Sequence, residues 1–363
     1  MSNYVLFNNG ITFATWGNQT LDGLITTAID ESNLQWTEDY MKIMWFQAQQ
    51  ALNPQQVFSG RAGLRELDQI SEGSVFPEMD VTKLDDKWFQ IKLFGNKISA
   101  TKLMTNWFKQ NQRLKGADSS VIQNLDNFFG ITKDLIRSAQ DSLELEMVKV
   151  WTEGLNPIST AFWPWSGTPK LKPLFSQSHT AVNWTQLFAN VAPFNIALTG
   201  ANLQAALNLM KITLLENGRF HRRNNATYKL FVSRVNEVVA RGILNDLWQL
   251  VQYSGTGTNA NQANTFRFKG NMVEIVCLDW LWQRDKNGNM IGTNDYWFLT
   301  NPDILDETGY FKNIKLQDPE MSTYIANDTK NQIVDLSFDF ACDHYGAEIA
   351  IFGSKGDGSA SNA

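Results

Sequence analysis

The chain has 363 residues, 43% of them hydrophobic, and a formal net charge of −6. This length is too great for one compact core and predicts two lobes with extensions. The chain is acidic, and its nearest approach to a basic block is the short His221-Arg222-Arg223. The composition therefore argues against a protein that grips nucleic acid through a positive face.

The cysteines and the first residues indicate a compartment. Cys277 and Cys342 lie in apolar, strand-like surroundings, which predicts two buried thiols without a disulfide, as in a reducing cytoplasm. The first residues lack the basic and apolar regions of a signal peptide, and no apolar run approaches the ~18 residues that cross a bilayer. We expect synthesis in the cytoplasm and no membrane contact.

Residues 1 to about 36 are predicted to form an extended arm. They are rich in Asn, Thr and Gly and contain single large apolar residues, among them Phe7, Phe13 and Trp16, that cannot form a core of their own. These aromatic side chains need a partner surface. It lies on a neighbouring subunit or on the arm's own domain, and the neighbour is the favoured interpretation.

A short helix is predicted after the arm. Thr37 has the character of an N-cap, and Glu38 and Asp39 suit the first turn. The helix is expected to continue to about Leu52, where Asn53-Pro54 ends it.

A long β-hairpin is predicted next. Residues 78–84 and 88–94 both alternate, and Asp85-Asp86-Lys87 between them has the composition of a turn. Polar residues on both faces indicate that this ribbon projects from the body. Its aromatic residues are further candidates for contact with a neighbouring subunit: Trp88, Phe89 and Phe94.

The strongest helical pattern runs from Ser119 to Trp151. Apolar residues recur there at spacings of three, four and seven, and Gly130 weakens the pattern only modestly. A helix of this extent is about 50 Å long, which is longer than a small domain is wide. We expect it to act as a strut.

The second half of the chain alternates between helix and strand patterns. Thr199 predicts a capped helix that closes at Gly218, and Ser233 predicts a second helix that continues to Leu247. The remaining segments are predicted as strands at 228–232, 266–279, 296–300, 333–340 and 347–352, followed by a loose polar tail from 353 to 363.

Motifs for catalysis and metal binding are missing. There is no Gly-x-Ser-x-Gly elbow, phosphate-binding loop or Gly-x-Gly-x-x-Gly turn. His179, His221 and His344 lack the paired spacing of zinc ligands. Asp285 to Asn289 starts like a calcium loop but lacks the later bidentate acid, so Asn287-Gly288 favours a hairpin turn. We predict no catalytic, cofactor or metal residues, and a protein that is not an enzyme.

Several phrases, in their order and spacing, carry a family resemblance. They are Lys172-Pro-Leu-Phe-Ser-Gln-Ser-His179-Thr180, Tyr228-Lys-Leu-Phe-Val-Ser233, Trp297-Phe-Leu-Thr-Asn-Pro302, Tyr345-Gly346 and Phe352-Gly353. With the order of elements, they resemble the major capsid proteins of tailed phages with the Hong Kong 97 (HK-97) fold, and most of all a Mu-like branch. The resemblance covers about residues 60 to 355.

The resemblance implies an α+β, HK-97-like capsid fold and a role for each region. It assigns an N-terminal arm to residues 1–56, an E-loop hairpin to 57–104, a P-domain with its spine helix to 105–194, an A-domain to 195–312, returning P-domain strands to 313–355 and a flexible tail to 356–363. The arm and the E-loop would lie on neighbouring subunits. The contact candidates are therefore Phe7, Phe13, Trp16, Trp88, Phe89 and Phe94.

The implied function is that of a major capsid protein. Pentamers and hexamers of the chain would assemble into an icosahedral or prolate shell that encloses viral double-stranded DNA without sequence-specific binding. Scaffolding, portal and decoration proteins are the implied partners. The implied location is the virion, after assembly in the host cytoplasm.

Two other functions remain open at this stage. An encapsulin-type nanocompartment shell protein shares the fold, and a groove for a cargo peptide would favour it. A carbohydrate-binding or hydrolytic protein is the alternative from another class, since the chain contains 13 Trp residues. A stable monomer with a deep, acid-lined cleft would support it.

Overall fold

The computed structural model describes residues 40–61, 83–100, 119–156, 173–180, 187–213, 227–245, 248–252, 259–263, 273–308, 311–329, 331–345 and 347–361. The chain divides into two compact units. Unit 1 comprises residues 1–56, 89–147 and 312–342, and unit 2 comprises residues 57–88, 148–311 and 343–363.

The described part combines helices with several sheets, in agreement with the predicted α+β class. The helices are α1 Ser119–Gly154, α2 Gly200–Ile212, α3 Arg234–Asn245 and α4 Pro302–Thr308, with 3-10 helices at Asp279–Trp282 and Ala347–Ala350. The strands are β1 Phe46–Gln50, β2 Gln55–Arg61, β3 Lys83–Gln90, β4 Lys92–Ala100, β5 His179–Thr180, β6 Leu187–Phe188, β7 Tyr228–Val232, β8 Trp248–Gln252, β9 Asn259–Ala263, β10 Val273–Cys277, β11 Trp297–Thr300, β12 Phe311–Ile325, β13 Gln332–His344 and β14 Ile351–Ser354.

Helix α1 confirms the predicted long helix. Its 36 residues correspond to a length of about 54 Å. In unit 1 its buried side chains follow a four-residue spacing, as expected for one face of a helix: Leu135, Ala139, Leu143 and Met147. In unit 2 the same helix buries Val148 and Trp151.

Unit 1 is built on a four-stranded sheet with the order β1-β12-β13-β4. Strands β13 and β4 are antiparallel, with Gln332 opposite Ala100 and Phe340 opposite Lys92. The predicted alternation over 333–340 is confirmed on one face, where Val334, Leu336, Phe338 and Phe340 are buried; Ile333 is buried as well. Phe94 stacks on Phe340 with ring centroids 4.4 Å apart.

The helix predicted from Thr37 to Leu52 is wrong in its second half. Residues 40–43 are helical, but Trp45 has a φ of 59°, in the left-handed region that ends a helix, and β1 follows. The Gln- and Ala-rich segment Phe46–Gln50 has ordinary helix propensity. Pairing with β12 overrides it: the Ala51 amide donates to the Lys315 carbonyl at 2.7 Å.

The predicted hairpin turn at Asp85-Asp86-Lys87 is also wrong. These residues lie inside β3, which pairs with β2 in a two-stranded sheet. The backbone groups of β3 thus find partners on β2, and the chain has no reason to reverse at the charged residues. The first part of the predicted hairpin, residues 78–82, lies outside the described residues.

Unit 2 is centred on a second four-stranded sheet, with the order β10-β7-β11-β14. Strands β10 and β7 are parallel, and β11 is antiparallel to both β7 and β14. The strands predicted at 228–232 and 296–300 are confirmed as β7 and β11, and β10 falls within the predicted 266–279. All four residues of β11 are buried, as are all four of β14.

Both faces of this sheet are covered. One face joins a core with α2 that includes Leu230, Leu299 and Phe352. On the other face, the Trp151 ring of α1 meets Phe231 and Phe298 edge to face at centroid distances of 4.9 and 5.4 Å. Such edge-to-face pairs add to the stabilisation from burial alone.

The two predicted helices of unit 2 begin where the sequence predicts, and α2 ends earlier than predicted. The Thr199 hydroxyl accepts from the Asn202 amide at 3.2 Å at the start of α2, and Ser233 Oγ accepts from the Asn236 amide at 3.3 Å at the start of α3. Helix α2 ends at Ile212 and does not reach the predicted Gly218. Leu247, the predicted end of α3, lies outside the described residues.

The C-terminal segment differs from prediction in two ways. Residues 347–350 form a 3-10 helix, so β14 begins only at Ile351. The tail predicted to be loose is held by backbone hydrogen bonds: the Asn195 amide donates to the Ser359 carbonyl at 2.8 Å, and the Gly358 amide donates to the Asn195 carbonyl at 2.7 Å. These bonds satisfy the polar backbone of a segment that has few apolar groups.

Candidate assembly surfaces

The predicted contact residues have different positions in the structure. Phe7, Phe13 and Trp16 lie outside the described residues, and so does the side chain of Trp88. Phe94 is half-buried against its own sheet. Phe89 is only 1% exposed, so its ring packs inside the chain and offers no surface to a neighbour.

The β2–β3 ribbon has at least one attachment within its own chain. The Phe58 ring of β2 stacks on Tyr345 in unit 2, with centroids 5.6 Å apart and an interplanar angle of 20°. The expectation that the ribbon lacks any partner within one molecule is therefore too strong at this position. Side chains 59–61 and 83–88 lie outside the described set.

Helix α3 exposes a row of valines that the site predictions missed. Val235, Val238 and Val239 are 50%, 75% and 45% exposed, and their spacing places them on one side of the helix. One turn on, a Cβ built at Gly242 meets nothing within 4 Å. The opposite side of α3 buries Ala240 in the core of unit 2. We call Val235, Val238 and Val239 the valine strip.

Paired charges border the valine strip. The Arg234 guanidinium donates to both carboxylate oxygens of Asp279, at 2.6 and 2.9 Å, and Arg241 Nε donates to Glu237 at 2.8 Å. Because each charge has an opposite partner, another apolar surface can approach without facing a net charge.

The Cys277 thiol takes part in this network. Burial and a hydrogen bond to Glu237 raise the pKa of the Cys277 thiol to about 11. The same hydrogen bond, and the one from Arg241, lower the pKa of the Glu237 carboxyl. Cys277 is thus a protonated donor at neutral pH and a poor nucleophile. Cys277 and Cys342 are free thiols, as predicted, but both are half-buried where the sequence predicts full burial.

A buried amide organises the Leu174–His179 part of the first resemblance phrase. Asn190 Nδ2 donates to the Leu174 carbonyl at 2.7 Å and to the Glu348 carbonyl at 3.1 Å, and Asn190 Oδ1 accepts from the Ser176 amide at 2.9 Å. His179 Nε2 lies 3.1 Å from the same oxygen, which assigns the proton to Nε2. His179 therefore serves the packing of this segment.

Of the other residues considered for metal binding, Asp285 and His344 form ordinary local structure, and His221 lies outside the described residues. The Asp285 carboxylate accepts from the Asn287 and Asn289 amides, and Gly288 has a φ of 82°, so the segment is the predicted turn. His344 contacts Asp343 and Glu348 at 3.2 and 3.7 Å. Within the described ranges, no group of three or more His, Cys, Asp or Glu side chains is placed to hold a metal ion.

One cavity in unit 2 lies beside that turn. Its volume is about 300 Å³, and its lining includes Lys149, Glu153, Asp285 and Tyr296. The Asp285 carboxylate is already engaged by the amides of its own loop, which lower the pKa of its carboxyl. Of the helices that the structure describes, none is both long and apolar enough to cross a membrane.

Comparisons with known proteins find similar chains among solved structures. No protein-family model matches the chain, and no curated protein matches it. Among solved structures, the chain is similar to one from Mycobacterium phage Patience (9% identity, TM-score 0.46, 94% of this chain and 90% of that chain). It is similar also to the capsid of cyanophage P-SCSP1u (10%, 0.46, 85% and 85%) and to the acid-stable capsid of Helicobacter pylori bacteriophage KHP30 (9%, 0.45, 85% and 86%).

Proposed function

We propose that this chain is a capsid shell subunit of a tailed phage, with a structural and not an enzymatic role. Copies of the chain assemble as pentamers and hexamers into a closed icosahedral or prolate shell that encloses double-stranded DNA. Scaffolding, portal and decoration proteins are the further partners. The HK-97-like domain assignment and the Mu-like branch belong to the same proposal.

The observation that carries the proposal is the position of the resemblance phrases in unit 2. Tyr228–Val232 and Trp297–Thr300 are neighbouring strands of one sheet, and Ile351–Ser354 pairs with the second of them. The Phe175 ring of the first phrase packs against Phe298 at a centroid distance of 5.5 Å. It also covers Gly353, where an added Cβ would lie 2.6 Å from the ring. Phrases far apart in sequence thus form one core, which supports their interpretation as a single family pattern.

The valine strip supports assembly. Complete burial of a valine side chain contributes about 1.5–3 kcal/mol, so three half- to three-quarters-exposed valines offer about 2–5 kcal/mol. The association of two proteins costs about 4–15 kcal/mol in lost freedom. One such contact is too weak to hold a pair, but several formed together in a closed shell reinforce one another.

The acidic balance of the chain agrees with a wall that encloses DNA. With 37 acidic and 31 basic side chains, the protein offers few anchors for phosphates. Packaged DNA would not adhere to such a surface.

The test is electron microscopy of the purified full chain and of Val238→Asp. We expect closed particles, or rings of five or six subunits, from the wild type. Val238→Asp should give soluble, folded subunits without particles, because a carboxylate would be desolvated at the contact. Val238→Leu is the matched control and should assemble.

Circular dichroism separates lost assembly from lost folding, because Val238 is 75% exposed and its replacement leaves the core intact. A wild type that stays monomeric at high concentration and binds sugars would overturn the proposed function. Normal particles from Val238→Asp would remove the valine strip from the contact.

A further inference from the structure

The outer edge of β12 is only partly covered. β12 has 15 residues, whereas β1, its neighbour on that side, has five. The contacts between them run in the same direction along both strands and involve only the first residues of β12. The Lys312 side chain donates to Gln47, the Ala51 amide donates to the Lys315 carbonyl, and the Gln50 side chain donates to the Leu316 carbonyl. Among the described strands, β1 is the neighbour of β12 on this side, and β1 ends at Gln50.

The next residues explain why β1 stops and what remains open. Pro319 has no amide proton, and Glu320 carries a charge; both are devices that discourage pairing at an edge. The five residues that follow, Met321–Ile325, are uncharged and rich in β-forming types. We call this segment the open edge. Tyr324 and Ile325 are 45% and 65% exposed, and consecutive strand residues point to opposite faces, so each face is partly exposed there.

The hairpin register shows which backbone groups point outward. The Ala326 amide donates to the Asn331 carbonyl at 2.9 Å, and Ser322 Oγ hydrogen-bonds Asp335. In an antiparallel ladder, hydrogen-bonded pairs alternate with non-bonded ones. Residues 322 and 324 therefore bond inward to β13. The N–H and C=O groups of Met321, Thr323 and Ile325 point outward from the sheet.

We propose that the open edge pairs antiparallel with the open edge of a second copy, about a two-fold axis through Thr323. In this register Thr323 faces its own counterpart, and Met321 faces Ile325 twice. On the opposite face Ser322 lies across from Tyr324, and Glu320 lies across from the uncharged Ala326. The outward N–H and C=O groups of one copy meet those of the other, and no like charges face each other within the paired segment. Pro319 ends the paired segment at both ends.

This self-complementarity is the reason to assign a second copy as the occupant. A two-fold contact uses the same segment on both copies, so the segment must be complementary to itself. Few strand segments both align their outward backbone groups with those of a second copy and place compatible apolar, hydroxyl and charged residues opposite each other. The pairing would extend two four-stranded sheets into one continuous sheet. The inference deepens the proposed function by naming a two-fold contact, and it rests on that function for its place in a shell.

Disulfide trapping tests the contact. In the proposed register, the two Thr323 Cα atoms form a hydrogen-bonded pair about 5.5 Å apart, which suits a disulfide. Thr323→Cys in the full chain, oxidised mildly and run on a non-reducing gel, should convert most of the chain to a covalent dimer. Ser337→Cys is the matched control, since Ser337 is exposed on β13, whose two edges are already paired. The wild type controls for Cys277 and Cys342.

A charge exchange in the Thr323→Cys background tests the register independently. Ile325→Lys should prevent formation of the covalent dimer because it places a charge across from Met321. Adding Met321→Glu should restore the dimer through two Glu–Lys pairs. Residues 321 and 325 are about 13 Å apart on one strand, so the rescue must occur between molecules.

The outcomes separate this inference from the proposed function. Particles that form from Thr323→Cys without any covalent dimer overturn the two-fold pairing and leave the shell function standing. Protection of Met321–Ile325 from hydrogen exchange without trapping assigns the edge to another occupant and also overturns it. If no variant forms particles, trapping at the same concentration still decides the contact.

Discussion

Replacement of Asn190 by Ala should destabilise unit 2 strongly. The side chain is 4% exposed and bonds two other chain segments at once, through Leu174 and Ser176 on one and Glu348 on the other. Alanine removes these bonds and leaves two buried carbonyl oxygens and one buried amide without this partner. A buried group that loses its partner costs about 1–3 kcal/mol. Allowing for local relaxation, we expect a loss of about 3–6 kcal/mol in the free energy of unfolding.

Urea denaturation, followed by tryptophan fluorescence and circular dichroism, measures this loss. Trp151 and Trp297 are fully buried in unit 2, so they contribute to the fluorescence change when it unfolds. Asn208→Ala is the matched control. Asn208 is exposed and accepts one hydrogen bond from Gln204 across a helical turn, which is worth about 0.2–0.5 kcal/mol. If Asn190→Ala lost no more than Asn208→Ala, the assignment of Asn190 as the structural centre of its segment would be refuted.

Two further predictions concern the same unit. Gly353→Ala should lower the free energy of unfolding by about 1–3 kcal/mol, because its Cβ would lie 2.6 Å from the Phe175 ring. Phe175→Leu in the same chain should recover part of this loss. An unchanged urea midpoint for Gly353→Ala would contradict the packing. The Cys277 thiol should resist alkylation until the pH approaches about 11, measured in a Cys342→Ser background, and Glu237→Gln should lower that pH. The pKa of Cys277 in the folded state is raised above the ordinary 9.0, so its contribution to stability is present below pH 9 and is lost as the pH rises toward 11. Alkylation that titrates near pH 9 would contradict the hydrogen bond between Cys277 and Glu237.

The sequence predicts best where one local pattern coincides with the tertiary environment. Helix α1 is long enough for its periodicity to be unambiguous, and Trp297–Thr300 is a short apolar run that is buried on both faces. The caps at Thr199 and Ser233 are equally local signals. In these cases propensity, patterning and burial all favour the same structure.

Prediction fails where a distant strand decides the local conformation. Nothing in Phe46–Gln50 indicates a strand, and only pairing with β12, far along the chain, makes it one. The charged run at residues 85–87 has the composition of a turn but continues as a strand because β2 supplies its hydrogen bonds. The C-terminal tail is polar, yet Asn195 holds it through its backbone and side chain.

The assembly surfaces were harder to predict than the fold. The valine strip belongs to an apolar helical pattern, and the pattern alone does not show which apolar side faces the core. The open edge did have a signal: Pro319 within a strand marks an edge, because an interior strand needs that amide. The aromatic residues predicted as contacts include Phe89, which is buried, because large apolar residues in a strand pack in a core as readily as they form a contact.

The position of β14 in its sheet bears on how the protein is synthesised. β14 borders β11, so the central sheet of unit 2 stays incomplete until residues 351–354 have left the ribosome. Until then, a nascent chain keeps Trp297 and Leu299 without the strand beside them. The core that α2 shares with Leu299 and Phe352 is therefore completed only after more than 350 residues have been translated, because Phe352 belongs to β14.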